Sequence, residues 1–172
     1  MYVWKLTQIS LDEIDMISDE ESVHSDTDVD TNLDSSRLEN LHWCGCHNCI
    51  IMPTLIESKC CKEFGSLLGD KLVSCITDNE YFEDICLKRH ILESAHIQNQ
   101  RYLGKFKDSK TISNKSYRFS AYRQYTAWVH YYERLGRNNR LVIPSCVVKK
   151  IRDTFPSVDG SYIGFKDIYG II

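Results

Sequence analysis

The stretch Trp43-Cys-Gly-Cys-His-Asn-Cys49, followed by Cys60-Cys61, decides how this chain folds. Five of the eight cysteines lie between positions 44 and 61, and the spacings Cys-x-Cys and Cys-x-x-Cys bring their sulfur atoms close together. Clustered thiolates suit a soft, tetrahedral metal, so we expect zinc first and an iron–sulfur cluster second. Disulfide bonds are a third interpretation, which the reducing environment inside a cell disfavours. We therefore expect a metal-binding knuckle that organises a small domain.

Charge is distributed unevenly along the chain, whose formal net charge is −3. Residues 11–40 contain eleven Asp or Glu residues and one Arg, whereas residues 41–172 carry a net charge of +6. An acidic segment with few aromatic residues is typical of a solvated, disordered arm. We therefore expect a largely disordered acidic arm over residues 1–40 and a cysteine-rich zinc-binding domain over residues 41–172.

The sequence lacks targeting and membrane signals. Its first residues have neither the basic region nor the apolar core of a secretory signal, and no apolar run approaches the roughly 20 residues of a membrane helix. We expect a chain without a transmembrane segment that is intracellular and cytoplasmic, with the nucleus left open.

The region over residues 41–75 has no clear hydrophobic period, so we expect cysteine-rich loops there. Helical spacing of apolar residues then predicts a first helix over residues 78–100. Thr77 and Glu80 match the capping box Thr-x-x-Glu at its start.

A second helix is predicted over residues 116–135, with an aromatic face formed by Tyr117, Ala121, Tyr125 or Gln124, Trp128, Tyr132 and Leu135. A third begins at Pro144 and ends before Pro156, since proline favours the first helical position and stops a helix. With a short strand over residues 1–10 and an extended segment near Tyr162, the expected fold class is α+β. It is a small, irregular, zinc-stabilised domain with about three helices.

Cys146 falls in the first turn of the third predicted helix. Free backbone N–H groups and the helix dipole lower the pKa of a thiol there, so Cys146 is either a metal ligand or a nucleophile. A nucleophile needs a neighbouring base, and no His is close to it in sequence. The H-x-E and P-C-x-x-C signature of zinc deaminases is also missing. We do not expect an enzyme.

Nine short motifs occur in an order that resembles one known family. They are Trp-Cys-x-Cys-x-x-Cys (43–49), Cys-Cys (60–61), Cys-Ile-Thr (75–77), Ala-Tyr-Arg (121–123), Trp128, Ile-Pro-Ser-Cys (143–146), Ile-Arg (151–152), Phe-Pro (155–156) and Gly-x-Tyr-x-Gly-Phe-Lys (160–166). Together they resemble the intracellular C-terminal, or ballast, domain of the P2X purinoceptor 7 channels, over residues 42–167. With no membrane-spanning sequence, we expect a stand-alone relative without the channel.

The resemblance implies a dinuclear zinc centre built from cysteines. Carried over by position, the ligands are Cys44, Cys46, Cys49, Cys60, Cys61, Cys75 and Cys146. Two tetrahedral zinc ions need eight bonds, and seven thiolates supply eight if one of them bridges. This count leaves Cys86 as an ordinary buried cysteine and makes His47 a less favoured substitute ligand. Spacing does not indicate which sulfur bridges.

The resemblance also implies GDP or GTP as a ligand. By alignment the nucleotide site falls on Arg118, Tyr122, Leu141, Ile143 and Arg152. A tyrosine ring can stack on the base, and arginine can bind phosphate in a bidentate manner. Two departures from the family are Val148, where the family has a basic residue, and an insertion of two residues between Trp128 and Pro144. Lys149 and Lys150 are candidates to restore the missing charge.

The sequence therefore predicts a non-catalytic zinc-binding interaction or regulatory module. We expect an unidentified protein partner and a guanine nucleotide as a candidate ligand. The alternative is a zinc-dependent nucleic-acid-binding protein, because basic residues between Lys105 and Arg123 are interleaved with aromatic ones. Those aromatic residues are Phe106, Tyr117, Phe119 and Tyr122.

Overall fold

A computed structural model describes residues 35–104, 111–131 and 141–164. The α-helices of this part are α1 (Gly65–Leu68), α2 (Glu80–Cys86), α3 (Arg89–Tyr102), α4 (Asn114–Val129) and α5 (Ser145–Thr154). Short 3-10 helices occupy Ser35–Leu38, Cys61–Phe64, Gly69–Lys71 and Ile76–Asp78. Helix α4 is central, since α2, α3 and α5 all pack against it.

The expected α+β class is wrong for the part of the chain that the structure describes, which is helical and contains no β-strand. Residues 141–144 and 161–164 adopt neither helix nor strand, because a strand needs a neighbouring segment to complete its hydrogen bonds. The cysteine-rich region consists of turns, 3-10 helices and the single turn α1. The predicted strand over residues 1–10 lies outside the described residues.

The first predicted helix is two helices, α2 and α3, because the chain leaves the helical conformation at Lys88, where ψ is 118°. Phe82 and Leu92 are both fully buried. At 3.6 residues per turn, these two positions would point about 80° apart on one straight helix. The break lets each helix turn its own apolar side chain toward α4.

The capping box predicted at Thr77 and Glu80 is also wrong. Asn79 caps α2 instead, since its side-chain oxygen accepts a hydrogen bond from the backbone N–H of Tyr81 at 2.9 Å. Asparagine is among the strongest N-cap residues, and it stands directly before the first helical residue. Thr77 lies beside Cys75, with its hydroxyl oxygen 3.1 Å from the sulfur.

The aromatic face predicted for α4 is confirmed within the described range. Tyr117, Ala121, Tyr125 and Trp128 are all buried. The Tyr117 ring stacks on Phe155, with ring centres 5.1 Å apart, and Tyr125 meets Phe82 and Trp128 edge-on. The helix itself runs from Asn114 to Val129. Tyr132 and Leu135, which were predicted to continue this face, lie outside the described residues.

Helix α5 follows the prediction closely, beginning after Pro144 and ending before Pro156. Its buried face includes Cys146, Val147 and Ile151. The backbone N–H of Ser145 donates to the carbonyl oxygen of Lys59 at 2.9 Å. This contact brings the first turn of α5, and with it Cys146, beside the Cys60–Cys61 pair.

Candidate metal centre

Seven of the cysteines gather into two groups of four thiols. In each group all the sulfur atoms lie within 4.8 Å of one another. The first group is Cys44, Cys46, Cys49 and Cys60, and the second is Cys46, Cys61, Cys75 and Cys146. Cys46 belongs to both groups. The seven residues carried over from the family are therefore the seven that the fold brings together.

The sulfur spacing fits a tetrahedral metal ion. A zinc–sulfur bond of about 2.3 Å places two ligand sulfurs about 3.8 Å apart at a tetrahedral centre. The sulfur–sulfur distance is 3.8 Å for Cys44–Cys46, 3.6 Å for Cys46–Cys49 and 3.8 Å for Cys61–Cys75. A disulfide bond needs about 2.05 Å, and all eight cysteines are free thiols. Each of the two groups could hold one metal ion.

Local backbone geometry directs the first three sulfurs to one point. His47 has a φ of 61°, in the left-handed region that few residues other than glycine adopt. This conformation turns the chain sharply between Cys46 and Cys49, so that the two sulfurs converge. The His47 side chain is exposed and belongs to neither thiol group.

Short 3-10 helices position the next three ligand candidates. Cys60 and Cys61 stand at the start of Cys61–Phe64, and Cys75 directly precedes Ile76–Asp78. Cys60, Cys61 and Cys75 have no exposed surface. Each sulfur is therefore fixed by a tight turn at its own position and shielded from water.

Hydrogen bonds within the cluster shift the thiol pKa values in opposite directions. A hydrogen bond from Cys146 lowers the pKa of Cys49 to about 5, and a hydrogen bond from Cys146 also lowers the pKa of Cys75. Donating these bonds, together with burial, raises the pKa of Cys146 itself. Thiols packed this closely lose all their protons together only when cations balance the charge. Two divalent ions would offset four of the seven negative charges that the fully ionised thiols of both groups carry.

Two acidic residues that the sequence reasoning missed support the cysteines. The backbone N–H of Cys60 donates to Glu63 Oε1 at 2.7 Å. The backbone N–H of Cys75 donates to Asp78 Oδ2 at 3.1 Å. The signal was the repeated spacing Cys-x-x-Glu and Cys-x-x-Asp, which matches the carboxylate half of a capping box.

Cys86 differs from the other seven cysteines. It is fully buried in α2, lies outside both thiol groups, and burial alone raises the pKa of its thiol. Cys146, which could have been a nucleophile, is only 1 % exposed and lies among three other thiols. Its thiol is therefore shielded from solvent.

A second cluster forms where α4, α5 and the segment after α5 meet. The guanidinium carbons of Arg118 and Arg152 lie 5.1 Å and 4.5 Å from the ring centre of Tyr162. Arg152 Nε is buried without a hydrogen-bond partner among the described residues. Burial raises the pKa of Tyr122, and the positive charges of Arg152 and Arg118 oppose that shift. Three of the five predicted nucleotide residues are thus together, and Tyr162 joins them.

The other residues assigned to the nucleotide site have different surroundings. Leu141 and Ile143 lie in the segment before α5, where Ile143 packs against the core and Leu141 is 37 % exposed. Lys149 pairs with Asp153 one helical turn later, and Lys150 is exposed. Tyr162 was not among the predicted nucleotide residues, although it lies within the family motif Gly-x-Tyr-x-Gly-Phe-Lys.

The basic and aromatic stretch before Arg123 does not form one exposed surface within the described residues. Tyr117 is buried and Tyr122 is half-buried. Phe119 is 49 % exposed, and the Arg123 guanidinium carbon lies 5.7 Å from the centre of its ring. Lys105 and Phe106 lie outside the described residues.

A family model described as the P2X purinoreceptor 7 intracellular domain matches residues 3–166. The chain belongs to this family. The relatives of this chain include the P2X purinoceptor 7 of Rattus norvegicus, which is 32 % identical to it over 132 residues. The P2X purinoceptor 7 of Mus musculus is 30 % identical over 135 residues. Each alignment covers 74 % of this chain and 20 % of the relative.

The chain therefore spans about a fifth of the length of these P2X purinoceptor 7 relatives. The matched range contains all the cysteines of both thiol groups and the arginines beside Tyr162. Among the described residues, no helix has both the length and the apolar composition needed to cross a bilayer.

Proposed function

We propose that this chain is a non-catalytic interaction module held together by two zinc ions. The observation that carries this proposal is the pair of four-thiol groups sharing Cys46, at sulfur spacings suited to tetrahedral zinc. A catalytic zinc keeps an open position for water, whereas four thiolates close each site. Zinc here would therefore have a structural role.

Cys46 is proposed as the bridging ligand because it is the one sulfur common to both groups. Seven thiolates then make eight bonds, which completes two tetrahedral sites. When bound, zinc supplies a rigid cross-link between thiolates. The link would join the knuckle over residues 44–49 to Cys75 and to α5, since Cys146 is the ligand candidate on that helix.

Metal content tests this proposal directly. We expect two zinc ions per chain by elemental analysis and by native mass spectrometry. In competition with a chelator, Cys46→Ser should weaken the binding of both ions, whereas Cys44→Ser should weaken one. Cys86→Ser is the matched control and should retain both ions, since Cys86 belongs to neither group. A single zinc, bound iron, or zinc loss from Cys86→Ser would contradict the proposal.

We further propose a guanine nucleotide, GDP or GTP, as a ligand beside Tyr162. The family resemblance suggests the ligand, and the paired guanidinium groups of Arg118 and Arg152 support it. Neither arginine forms an ion pair with a carboxylate of the described residues. The Arg152 Nε–H also has no hydrogen-bond acceptor among them. Arginine binds phosphate oxygens in a bidentate manner, and an aromatic ring can stack on a purine.

Thermal unfolding with added nucleotide tests this second proposal. We expect GDP or GTP to raise the melting temperature more than ATP does, because binding to the folded state stabilises it. Arg152→Gln should abolish the shift, while Lys115→Gln, which removes an exposed cation from α4, should preserve it. Equal shifts for all nucleotides, or a shift that survives Arg152→Gln, would contradict a specific site.

We place this module inside the cell, as the family's description suggests, with a protein as its partner. Loops that a rigid scaffold positions commonly carry recognition sites. The nucleic-acid alternative receives less support, since the aromatic residues of the basic stretch are divided between core and surface.

A further inference from the structure

We propose that Glu63 and Asp78 are positioning residues of the zinc centre, each supporting one of its two ions. Glu63 would act through Cys60 on the first ion, and Asp78 through Cys75 on the second. The inference rests on the proposed zinc sites. It extends them from the thiolates to the groups that hold the thiolates in place.

Each carboxylate accepts a hydrogen bond from the backbone of a cysteine in a different thiol group. Cys60 belongs only to the first group and Cys75 only to the second. Their backbone N–H groups donate to Glu63 and Asp78 at 2.7 Å and 3.1 Å. Because neither cysteine is the shared one, losing either hydrogen bond should disturb one ion and leave the other in place.

Glu63 is itself held on its far side. Arg37 Nη1 donates to both Glu63 carboxylate oxygens, at 3.0 Å and 2.9 Å, and to the carbonyl oxygen of Ser58 at 2.9 Å. The same guanidinium lies 5.5 Å from the ring centre of Trp43, whose indole N–H donates to the Asn40 carbonyl oxygen at 2.8 Å. The carboxylate is thus fixed between a cation and the peptide group of a ligand candidate.

Asp78 is held by a smaller network. Its Oδ2 accepts hydrogen bonds from the Cys75 N–H and from the Ser74 hydroxyl, the latter at 2.7 Å. On the other side of Cys75, the Thr77 hydroxyl lies 3.1 Å from the sulfur. Residues 74–78 therefore fix both the backbone and the sulfur of Cys75.

Hydrogen bonding, rather than charge, gives these carboxylates their role. A negative charge near thiolates raises the thiolate energy, so charge alone would weaken zinc binding. Outer groups that orient metal ligands typically change metal affinity by about 10- to 100-fold when removed. An amide of the same shape keeps the acceptor oxygen and loses the charge, so it separates the two roles.

The test is chelator competition on the full chain, followed by native mass spectrometry. We expect Glu63→Ala and Asp78→Ala each to weaken one ion by about 10-fold or more. Glu63→Gln and Asp78→Asn should retain most of the wild-type affinity. Glu80→Ala, which removes an exposed carboxylate from the same region, is the control and should bind both ions normally.

Double variants assign each carboxylate to its ion. Cys44→Ser should weaken the first site alone, so adding Glu63→Ala should leave the second ion at its wild-type affinity. Adding Asp78→Ala to Cys44→Ser should weaken both ions. If the alanine variants fail to fold, Arg37→Gln leaves both carboxylates in place and should weaken only the first ion.

The outcomes separate this inference from the function on which it rests. The inference would be overturned if the wild type bound two zinc ions and their affinities were unchanged in Glu63→Ala, Asp78→Ala and Arg37→Gln. The proposed zinc sites would then still hold. A wild type without zinc would overturn both. Amide variants that behave like the alanine variants would overturn the hydrogen-bonding role.

Discussion

At the scale of single residues, Cys46 and Cys86 show how surroundings decide the role of a buried thiol. Cys86 is fully buried in the hydrophobic core, where burial keeps the thiol protonated. Cys46 is 7 % exposed and lies within reach of six other sulfurs. One residue type thus fills space in α2 and is a ligand candidate in the knuckle.

The pH dependence of the free energy of unfolding should show the effect of the buried Cys86 thiol. Burial raises its folded pKa above the ordinary value of 9.0, so the folded state holds this proton more tightly than the unfolded chain does. Its contribution to the free energy of unfolding is fully present below about pH 9 and is lost as pH rises toward the folded pKa. The loss should approach about 1.4 kcal/mol per pH unit.

The measurement compares chemical denaturation of the wild type and Cys86→Ala between about pH 7 and about pH 10.5. Cys86→Ala should cost about 1 kcal/mol at neutral pH through the cavity it leaves. That difference should shrink above about pH 9, because the variant has no thiol to ionise. A constant difference across the range would show that Cys86 ionises alike in both states.

The sequence predicts which cysteines lie together. It does not predict which cysteine belongs to both thiol groups. The spacing between Cys44 and Cys49 is local, so its geometry follows from a few backbone angles. Whether Cys46 also lies near Cys75 and Cys146 depends on the positions of two turns that are distant from it in sequence. That placement is set by the packing of α5 against the rest of the core, which no local spacing encodes.

At the scale of elements, proline predicted helix ends better than a capping pattern or apolar periodicity did, since the capping box at Thr77 and the continuous helix over residues 78–100 were both wrong. The prolines around α5 fix its limits by covalent geometry alone. The break at Lys88 has no such signal, since no Gly or Pro lies between residues 78 and 100. It arises because α2 and α3 each bury a side chain against α4, and tertiary packing overrides a continuous helical pattern.

The N-cap of α2 gives a prediction at this scale. Asn79→Ala should lower the free energy of unfolding by about 1 kcal/mol or more, because the Tyr81 N–H loses its acceptor. The Asn79 amide also donates to the Lys71 carbonyl oxygen at 2.9 Å. Asn79→Asp keeps the cap and loses this donor, so it should be less destabilising.

Chemical denaturation at neutral pH gives the comparison. Ser66→Ala, an exposed change in α1, is the control and should alter stability by less than about 0.5 kcal/mol. If Asn79→Ala were no more harmful than Ser66→Ala, the cap would not contribute to the stability of α2.

At the scale of the whole molecule, different interactions hold two regions of the described structure in place. Helices α3 and α4 pack directly on each other and bury apolar side chains between them. The region over residues 41–75 contributes mainly cysteines to the core, together with Leu68. Its order would depend on metal binding, because free thiols lack the attraction that a shared cation provides.

Zinc removal should therefore loosen one part of the molecule first. With a chelator present, we expect amide hydrogen exchange to rise sharply over residues 44–78 and in the first turn of α5. Exchange in α3 and α4 should rise much less, because those helices retain their mutual packing. Added zinc should restore the protection.

Cys86→Ser should respond to chelator as the wild type does. Equal loss of protection everywhere would mean that the whole fold depends on metal, and unchanged protection would mean that none of it does.

The unequal spans of the two thiol groups set an order of assembly. The first group closes a loop within residues 44–60, whereas the second needs residue 146. Loop-closure entropy makes the longer span costlier by roughly 1.5 kcal/mol. A nascent chain can complete the first group long before α5 leaves the ribosome, so the two ions would enter in sequence rather than together. Refolding in zinc should then show two phases, the slower one coinciding with the docking of α5.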